Sequence, residues 1–565
     1  MTGSNPLVAQ GDARTRAPRL GPRGRVATPE DTAAVAAVLD AAGLARPARD
    51  LLIEQLHSLQ DAAGCLREGQ LVALAAFHRL APVEVFETAS FYAHFEILPD
   101  GAPAPPPVTL RVCEGLPCMM AGAGQLLEAV RDAATAGARV VGAPCMGACH
   151  RAPMAAVGFE PVAPATAEAL CAAARHGAAG AAKPLDLEAY RAGGGHAALR
   201  AARDGTLTAG AMLDALERSG LRGLGGAGFP VARKWRFALS HAGPRHLVVN
   251  ADEGEPGTFK DRFCLETEPH RVLEGMLLAA HAIGAASCWI YIRDEYPDLH
   301  RSLAAALGEL RVAGVDMPVH LRRGAGAYIC GEETALLESL EGRRGYPRHK
   351  PPFPGQHGLF GQPTVIHNVE TLWWLPEILA TADGADRYAA AGRRGAKGER
   401  LFSVSGRVRQ PGVKRAPIGV TARELIEEFS GGMAEGHRFL GYLPGGASGG
   451  ILPASLADLP LDVGALDAQG CFVGSGAIVV LSDQDDLAEA ARNLLRFFRD
   501  ESCGQCSPCR VGTAKAARLL DAPAWDRALL GELAQAMADG SICGLGQAAM
   551  NPVRSLLRFF PEQVP

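Results

Sequence analysis

The spacing of apolar residues changes several times along the chain, and each change predicts a different kind of element. Between residues 33 and 100, apolar residues recur at helical spacing, which predicts helices with one buried face. Residues 108–112 alternate as a strand does, and a helical pattern at 125–133 and a second strand near 138–141 follow. Strand, loop, helix, strand and loop in this order form a small α/β unit whose two loops meet at one edge of the sheet.

The pattern changes again in the second half of the chain. Residues 185–395 alternate helical and strand patterns, which predicts an α/β domain. Residues 398–482 contain short strands separated by glycine turns, which predicts a small, largely β module. Residues 486–560 are helical, with a cysteine-rich loop between the first two helices. We therefore expect a multidomain α/β protein with a helical C-terminal domain, in which residues 33–175 form the first domain.

Three segments need separate interpretation. Residues 1–32 are rich in Arg, Gly and Pro, which predicts a disordered tail, and residues 173–183 resemble a linker. Residues 275–292 contain no Asp, Glu, Lys or Arg, and this length is the lower limit for a membrane-spanning helix. Because the stretch ends in a β-branched and aromatic run, we expect instead a buried helix, a turn at 284–287 and a buried strand.

Composition adds limits on partners and location. The chain has 565 residues, of which 48% are hydrophobic and 21% charged, and these values predict three to four domains with apolar cores. The net charge of -5 gives no general electrostatic reason to bind nucleic acid or an anionic membrane. No signal peptide is recognisable, and we expect a cytoplasmic protein without a membrane span.

Eight of the fourteen cysteines form two groups of four. The groups are Cys113, Cys118, Cys145 and Cys149 near the N-terminus, and Cys503, Cys506, Cys509 and Cys543 near the C-terminus. Four thiolates complete the shell of an iron–sulfur cluster, and structural zinc also takes four cysteines. Three closely spaced cysteines and one distant cysteine favour a cluster at the C-terminal group, whereas the N-terminal group is the weaker indication. Disulfides are not expected in a cytosolic chain with scattered remaining cysteines.

Residues 223–228 satisfy the pattern Gly-x-Gly-x-x-Gly, but their surroundings do not fit a Rossmann dinucleotide fold. That fold requires a strand before the glycines and an acidic residue about 20 positions later. Here residues 211–219 read as a helix, and the later position holds Val248. The glycines therefore indicate close backbone approach to a phosphate in a different fold, and a bare glycine turn is the alternative.

Two acidic segments accompany the glycine loop. Asn250, Asp252, Glu253 and Glu255 follow a predicted strand, and Glu332 and Glu333 open a helix that continues to Leu340. Carboxylates at such positions suit the hydroxyl groups of a ribityl or ribose chain rather than a phosphate. For Glu332 and Glu333 a solvated acidic cap is the alternative, because a helix N-terminus favours carboxylates on structural grounds alone.

Five motifs together closely resemble the NADH-binding flavoprotein subunit of respiratory complex I. They are residues 223–230 with 234–235, 250–257, 326–335, 350–354 and 368–371. The C-terminal cysteine group resembles that subunit's [4Fe–4S] site, and residues 33–175 resemble the thioredoxin-like [2Fe–2S] partner subunit, here fused upstream. Such fusions are similar to the diaphorase subunits of soluble NAD-dependent molybdenum or tungsten formate dehydrogenases and of NAD-reducing hydrogenases.

The resemblance implies four cofactors, namely FMN, NAD, a [2Fe–2S] cluster and a [4Fe–4S] cluster. It implies that the FMN site contains Gly223, Gly225, Lys234, Asn250, Asp252, Glu253, Gly331, Glu332 and Asn368. It implies that NADH contacts Phe229, Phe237, Glu255, Lys350 and Phe353. Tyr328 is implied as a further cofactor-binding residue, and residues 398–482 are implied to form a β-grasp-like module. Glu333 would lie close to the nicotinamide, and Glu333 and Glu255 are the two carboxylates predicted at the catalytic centre.

The sequence departs from this family at three places. Leu224 stands where the family commonly has Arg, His367 stands where it usually has Asn, and only 26 residues separate Cys118 from Cys145. A histidine beside the flavin phosphate suggests either a pH-dependent contact or a packing role.

The expected function is an FMN-dependent NAD(H) oxidoreductase subunit that exchanges electrons with a separate catalytic subunit. No molybdopterin or nickel-ligand signature is recognisable in the chain. A molybdenum or tungsten formate dehydrogenase subunit is the first expectation for the partner, a [NiFe] hydrogenase the second and complex I the third. A zinc-binding assembly scaffold is the non-enzymatic alternative.

Overall fold

The computed structural model describes residues 24–133, 137–176 and 184–565. The first part of the predicted tail, residues 1–23, and most of the predicted linker, residues 177–183, lie outside the described residues. The predicted end of the tail at residue 32 is wrong, because a helix begins at Pro29. The predicted start of the linker at residue 173 is also wrong, because another helix continues to His176. The first of these helices starts early because Pro29 occupies its first turn and the Thr28 side chain accepts a hydrogen bond from the Asp31 N–H.

The N-terminal elements form a helical layer. They are α1 Pro29–Ala41, α2 Leu52–Ala63, β1 Leu66–Arg67, α3 Glu68–His78, α4 Pro82–Phe91 and β2 Ile97–Leu98, with β1 and β2 paired in parallel. Apolar residues of this layer, such as Leu56 and Leu74, belong to a core that also contains Leu336 and Leu494 from the second half of the chain. The layer is therefore fixed to distant parts of the chain by shared apolar burial.

The next elements form a four-stranded thioredoxin-like unit. They are β3 Val108–Cys113, α5 Leu116–Met120, α6 Ala123–Ala133, β4 Ala138–Ala143, β5 Ala155–Val157, β6 Glu160–Val162 and α7 Ala167–His176. The sheet order is β4-β3-β5-β6, and this unit has a core of its own that includes Leu110, Val130 and Leu170. Residues 33–175, predicted as one domain, thus pack as two units.

The middle domain carries a parallel sheet covered by helices. Its elements are α8 Leu187–Ala192, α9 Ala197–Arg203, α10 Ala209–Ser219, α11 Val231–Leu239, β7 Arg245–Ala251, α12 Lys260–Thr267, α13 Pro269–Ile283, β8 Ala285–Ile292, α14 Pro297–Val312, β9 Val319–Arg323, α15 Glu333–Leu340, β10 Thr364–Asn368, α16 Val369–Leu379 and α17 Gly384–Ala390. The strand order is β10-β7-β8-β9 and every pairing is parallel. The central strands are apolar on both faces, as a doubly covered sheet requires.

The uncharged stretch 275–292 is a buried helix followed by a buried strand, as predicted. The turn is shorter than expected, because Gly284 alone adopts the left-handed conformation that ends α13 and β8 begins at Ala285. Among the described residues no helix combines the length and the apolar character needed to cross a membrane.

The remaining elements form a β module and a helical domain. The module contains β11 Glu399–Gly406, β12 Gly412–Pro417, α18 Ala422–Glu424, β13 Phe439–Leu443, β14 Leu452–Pro453 and β15 Ala477–Ser482, in the order β12-β11-β15-β13-β14. The helical domain contains α19 Leu487–Asp500, α20 Ser507–Leu520, α21 Arg527–Gly540, α22 Gly544–Ala548 and α23 Asn551–Phe559. The prediction placed Cys509 on a loop, whereas α20 already begins at Ser507, so Cys509 lies in its first turn.

Helices α13 and α16 cross closely at Gly275, so a substitution of this glycine tests the packing of the middle domain. A Cβ atom at this position would lie 1.9 Å from the carbonyl oxygen of Leu372. We expect Gly275→Ala to lower stability by about 1–3 kcal/mol, because backbone atoms must move to admit the methyl group. Thermal unfolding of the purified protein measures the effect.

Gly308→Ala on α14 is the matched control. No atom lies within 4 Å of a Cβ at this helical glycine, so alanine should be neutral or should stabilise the protein by about 0.5–1 kcal/mol. Equal unfolding temperatures for the two variants would contradict the close crossing of α13 and α16.

Candidate functional site

The candidate site begins where two neighbouring strands of the middle sheet end. Asn250 in β7 and Asn368 in β10 are register partners at the carboxyl ends of these parallel strands. The chain continues from β7 to β8 on one side, whereas β10 lies on the other side of β7. In open α/β sheets, ligands bind in the crevice at such a switch in strand order.

The glycine loop lies against the N-terminus of α16. It connects α10 to α11 and does not follow a strand, as the sequence predicts for a fold other than Rossmann. Asn368 caps α16, and a Cβ atom on Gly225 would lie 3.0 Å from the Asn368 Cβ. The Leu224 N–H donates to the Thr371 hydroxyl over 2.9 Å. Backbone N–H groups and a helix N-terminus together provide a site for a phosphate group.

The first acidic segment and the turn at residues 328–332 form the next part of the crevice. Asn250 donates from Nδ2 to the Gly331 carbonyl over 2.9 Å, and its Oδ1 accepts from the Asp252 N–H over 3.1 Å. A Cβ on Gly331 would lie 3.2 Å from the Asp252 carbonyl oxygen, so glycine permits this approach. The Asp252 Oδ2 is buried without a hydrogen-bond partner among the described residues, and burial raises the pKa of this carboxyl well above its usual range. An unused acceptor beside a glycine-lined crevice fits the hydroxyl groups of a ribityl chain.

The other two carboxylates of this segment have partners within the protein. Glu253 accepts from the N–H groups of Asp261 and Arg262 over 2.7 and 3.0 Å. Glu255 accepts over 2.7 Å from both the N–H and the hydroxyl of Ser448. These contacts tie the segment to α12 and to the β module, and the cofactor contacts predicted for both carboxylates stay predictions.

Two lysines from distant segments meet Glu332 and Glu333 at the start of α15. Lys350 donates to Glu332 and Glu333 over 2.9 and 2.8 Å. Lys234 donates to the Ile366 carbonyl over 3.0 Å and lies 3.7 Å from Glu333. Burial alone would raise the pKa of Glu333, but the two ammonium groups outweigh it and lower this pKa. Glu332 also caps α15 by accepting from the Thr334 and Ala335 N–H groups, as the cap interpretation predicts, and its contact with ribityl or ribose hydroxyls stays a prediction.

The three phenylalanines predicted to contact NADH are all partly exposed, with 45% of Phe229, 38% of Phe237 and 48% of Phe353 accessible. The Phe237 ring lies against Gly355, where a Cβ would come within 2.6 Å of the ring. α11 and the segment after Lys350 are therefore in contact. Exposed aromatic side chains of this kind are able to stack on a planar ligand.

The N-terminal cysteines are brought together and buried. Cys113 ends β3 and pairs in register with Ala143 of β4, so the two cysteine loops meet at one sheet edge as predicted. The Cys145 and Cys149 sulfurs lie 3.4 Å apart, and all four cysteines are at most 4% exposed. Hydrogen bonding to Cys118 raises the pKa of the Cys113 thiol well above its usual range. Four adjacent sulfurs form a donor set that fits an iron–sulfur cluster.

The C-terminal cysteines converge from a loop and two helix starts. Cys506 precedes α20, Cys509 lies in its first turn and Cys543 precedes α22. Burial raises the pKa of Cys543 to about 12, and the neighbouring Cys503 adds to the increase. Cys503, Cys506 and Cys543 remain half-buried, in contrast to the N-terminal group. This second sulfur set is therefore closer to the protein surface.

Different contacts connect the two cysteine groups to the crevice. Arg293 donates to the Cys145 carbonyl over 2.8 Å and to the Glu253 carbonyl over 2.5 Å, and Phe259 packs on Cys145 and Cys149. Towards the C-terminal domain, the Tyr328 N–H donates to Glu501 over 3.0 Å, and the Tyr328 ring lies 5.0 Å from that of Phe497. Tyr328 also donates its hydroxyl proton to Glu255, so it joins the acidic segment to the C-terminal domain.

Three family models match this chain. The Nuo51 FMN-binding domain matches residues 216–377, the iron–sulfur binding region of NADH-ubiquinone oxidoreductase-F matches 489–565, and the thioredoxin-like [2Fe–2S] ferredoxin matches 41–176.

Similar proteins extend these matches. The NADH-quinone oxidoreductase F 2 subunit of Rhizobium meliloti (strain 1021) is 42% identical over 391 residues, which are 66% of this chain and 92% of the relative. The NADH-quinone oxidoreductase F subunit of Aquifex aeolicus (strain VF5) is 40% identical over 398 residues, 67% of this chain and 90% of the relative. The chain belongs to the family of NADH-quinone oxidoreductase F subunits.

A solved structure matches almost the whole length. A chain of an NAD+-reducing [NiFe]-hydrogenase in the air-oxidized state has a TM-score of 0.80 and 34% identity, and the match covers 92% of this chain and 93% of that chain. The predicted fold class is confirmed by these comparisons. The predicted FMN, NADH, [2Fe–2S] and [4Fe–4S] cofactors are confirmed as well, against the zinc scaffold.

Sequence reasoning missed several buried charged residues around the crevice. Lys260, Asp261, Glu370 and Arg400 are each at most 5% exposed, and Arg293 is 5% exposed. One signal was present in the sequence, because Glu370 lies close to the apolar run 372–376 of α16. Nothing in the local pattern distinguishes Lys260 from a solvated lysine.

The structure also decides between the two roles suggested for His367. Its Nε2 accepts a hydrogen bond from the Trp235 indole over 2.7 Å, and the ring is 3% exposed. Burial lowers the pKa of His367 well below its usual range, and the nearby Lys234 lowers it further. His367 is therefore a neutral packing residue in this protein.

The separate placement of the cysteine groups leads to a testable difference. Cys503→Ser should remove the [4Fe–4S] signal from the EPR spectrum of the reduced protein, because serine supplies no thiolate. Cys113→Ser should remove only the [2Fe–2S] signal, since these sulfurs lie in a unit with its own core. FMN content serves as the control and should stay near one per chain in both variants. Loss of both EPR signals from either single variant would contradict two independent clusters.

Proposed function

We propose that this chain is the NAD(H)- and FMN-binding subunit of an oxidoreductase complex and passes electrons between NAD(H) and a separate catalytic subunit. One observation carries the proposal: the glycine loop, the acidic segment and the Glu332–Glu333 pair converge on one crevice, and both cysteine groups lie close to it. Membership of the family of NADH-quinone oxidoreductase F subunits supports the same function.

The chain's own residues provide a binding place for each part of FMN. The loop at Gly223 and Gly225 and the N-terminus of α16 are placed to hold the phosphate. The Oδ2 of Asp252, for which the described part of the chain offers no hydrogen-bond partner, is available to accept from a ribityl hydroxyl. The same crevice is shaped by Asn250, Glu253, Tyr328, Gly331 and Asn368. When bound, FMN supplies the exchange between a two-electron hydride donor and one-electron carriers.

The mouth of the crevice is suited to NADH. Phe229, Phe237 and Phe353 offer exposed rings for stacking on the adenine. Lys350 offers its ammonium group to the phosphates while it also contacts Glu332 and Glu333. The charged form of Glu333, favoured by its lysine partners, would lie close to the nicotinamide and orient it. Glu255, fixed by Tyr328 and Ser448, is the second carboxylate proposed for the catalytic centre.

The different exposure of the two cysteine groups supports different roles for the two clusters in electron transfer. We assign the group of Cys503, Cys506, Cys509 and Cys543, in which Cys509 is buried and the other three are half-buried, to the [4Fe–4S] cluster that exchanges electrons with the partner. The buried group of Cys113, Cys118, Cys145 and Cys149 would hold the [2Fe–2S] cluster away from solvent.

Two catalytic partners are candidates. A molybdenum or tungsten formate dehydrogenase subunit fits the fused architecture, and formate is a two-electron donor matched to NAD+ reduction. A [NiFe] hydrogenase is the second candidate, and the match to the hydrogenase chain over 92% of this chain favours it. Either partner would contribute the oxidation of formate or of hydrogen, because the sequence of this chain has no recognisable molybdopterin or nickel-ligand signature.

The crevice lies within one chain, so the isolated protein should oxidise NADH with ferricyanide as acceptor. Phe353→Ala should raise KM for NADH about three- to tenfold with kcat nearly unchanged, because stacking with an aromatic ring contributes about 0.5–1.5 kcal/mol to binding. Steady-state kinetics on FMN-loaded protein measures both constants.

Phe86→Ala is the matched control, since Phe86 is 45% exposed on α4 and does not line the crevice. It should leave KM unchanged. Absence of NADH oxidation by the FMN-loaded wild-type chain would overturn the proposed single-chain site.

The native complex distinguishes the two partners. Purification from the source cells through this chain, followed by metal analysis, should yield molybdenum or tungsten if the partner oxidises formate. Nickel in stoichiometric amount would instead identify a hydrogenase and remove the formate assignment.

A further inference from the structure

Lys260, in the first turn of α12, is a fully buried lysine beneath the crevice. Its ammonium group lies 2.7 Å from Asp261 Oδ1, 3.1 Å from Glu370 Oε2 and 3.1 Å from Asn368 Oδ1. Its exposed fraction is 0%. A buried charge is costly unless it is paired, so this lysine and its two carboxylates depend on one another.

The lysine reaches the crevice through Asn368. The Asn368 Oδ1 accepts from Lys260 and from the Glu370 N–H over 3.0 Å, and its Nδ2 donates to Asp261 over 2.5 Å. These bonds fix the side chain whose Cβ lies against Gly225 of the glycine loop. The place proposed for the phosphate is therefore held by a residue that Lys260 orients.

The groups beneath Asn368 carry charges of both signs. Lys260 supplies a positive charge between the carboxylates of Asp261 and Glu370, and Arg400 is a further buried cation whose pKa these two carboxylates raise against the effect of burial. Glu253 is another carboxyl close to Lys260, and burial raises its pKa to about 8. Loss of Lys260 alone would leave an excess negative charge where a phosphate dianion is expected.

We propose that Lys260 is a positioning residue for FMN: it holds Asn368 against the glycine loop and neutralises Asp261 and Glu370 beneath the phosphate. The inference rests on the proposed function and extends it to a residue that lies outside the crevice itself. Lys260 need not touch the flavin, because it acts through Asn368 and through the charge balance.

Two substitutions that change the net charge in opposite directions test this role, because they should change FMN affinity differently. Lys260→Met leaves an excess negative charge, and it should weaken FMN binding to the apo-protein at least tenfold. Glu370→Gln leaves an excess positive charge and keeps an oxygen acceptor for the Leu401 N–H, so FMN should bind as tightly as in the wild type or more tightly. The double variant restores the balance and should recover most of the affinity. Quenching of flavin fluorescence measures each dissociation constant.

A purely structural role predicts a different result, namely weaker binding in all three variants. Glu274→Gln is the matched control, because Glu274 is a buried carboxylate of α13 that accepts from the Tyr190 hydroxyl over 2.6 Å and from the His196 N–H over 2.8 Å. It should lower the unfolding temperature without changing FMN affinity.

The outcomes separate this inference from the function on which it rests. Failure of the wild-type apo-protein to bind FMN would overturn the proposed function. If the wild type binds FMN normally, either of two results would overturn the role of Lys260 alone. One is an unchanged FMN affinity in Lys260→Met, and the other is a loss of FMN affinity in Glu370→Gln as large as that in Lys260→Met. If Lys260→Met does not fold, Glu370→Gln and the double variant still decide, because weak binding by both would exclude the charge-balance role.

Discussion

The parallel pairing of β7 with β10 is the constraint on which the candidate site depends. It sets Asn250 beside Asn368 and opens a crevice at the point where the strand order changes direction. The glycine loop approaches from one side onto the start of α16, and the turn before α15 approaches from the other. A shift of this pairing by one residue would turn these side chains to the opposite face of the sheet.

Contacts between distant parts of the chain then connect this crevice to the two cysteine groups. Arg293 bridges the acidic segment and the loop of Cys145, whereas Tyr328 bridges the same segment and α19. The helical layer of α1–α4 shares its apolar core with both α15 and the C-terminal helices. The units are therefore fixed relative to the crevice by burial and hydrogen bonding together, and not only by the covalent chain.

Charge is distributed unequally across the crevice. Its mouth has partly exposed lysines paired with Glu332 and Glu333, where solvent screens the ion pairs. Its floor has the fully buried group around Lys260, where the loss of any single partner leaves an uncompensated charge. The buried group is consequently the more sensitive part of the site, although it lies further from the expected substrates.

The sequence alone determined the main elements, both cysteine groups and the family, because periodicity and ligand spacing are local properties. It predicted the helix and strand at 275–292 and rejected a Rossmann fold from the helix before Gly223. The tertiary structure alone decided which charges are buried: Lys260 meets Glu370, 110 positions away, and Arg293 meets the Cys145 carbonyl across 148 positions. It also divided residues 33–175 into two packing units and made His367 a buried acceptor. Burial and pairing of this kind depend on contacts between segments far apart in the chain, and no local pattern records them.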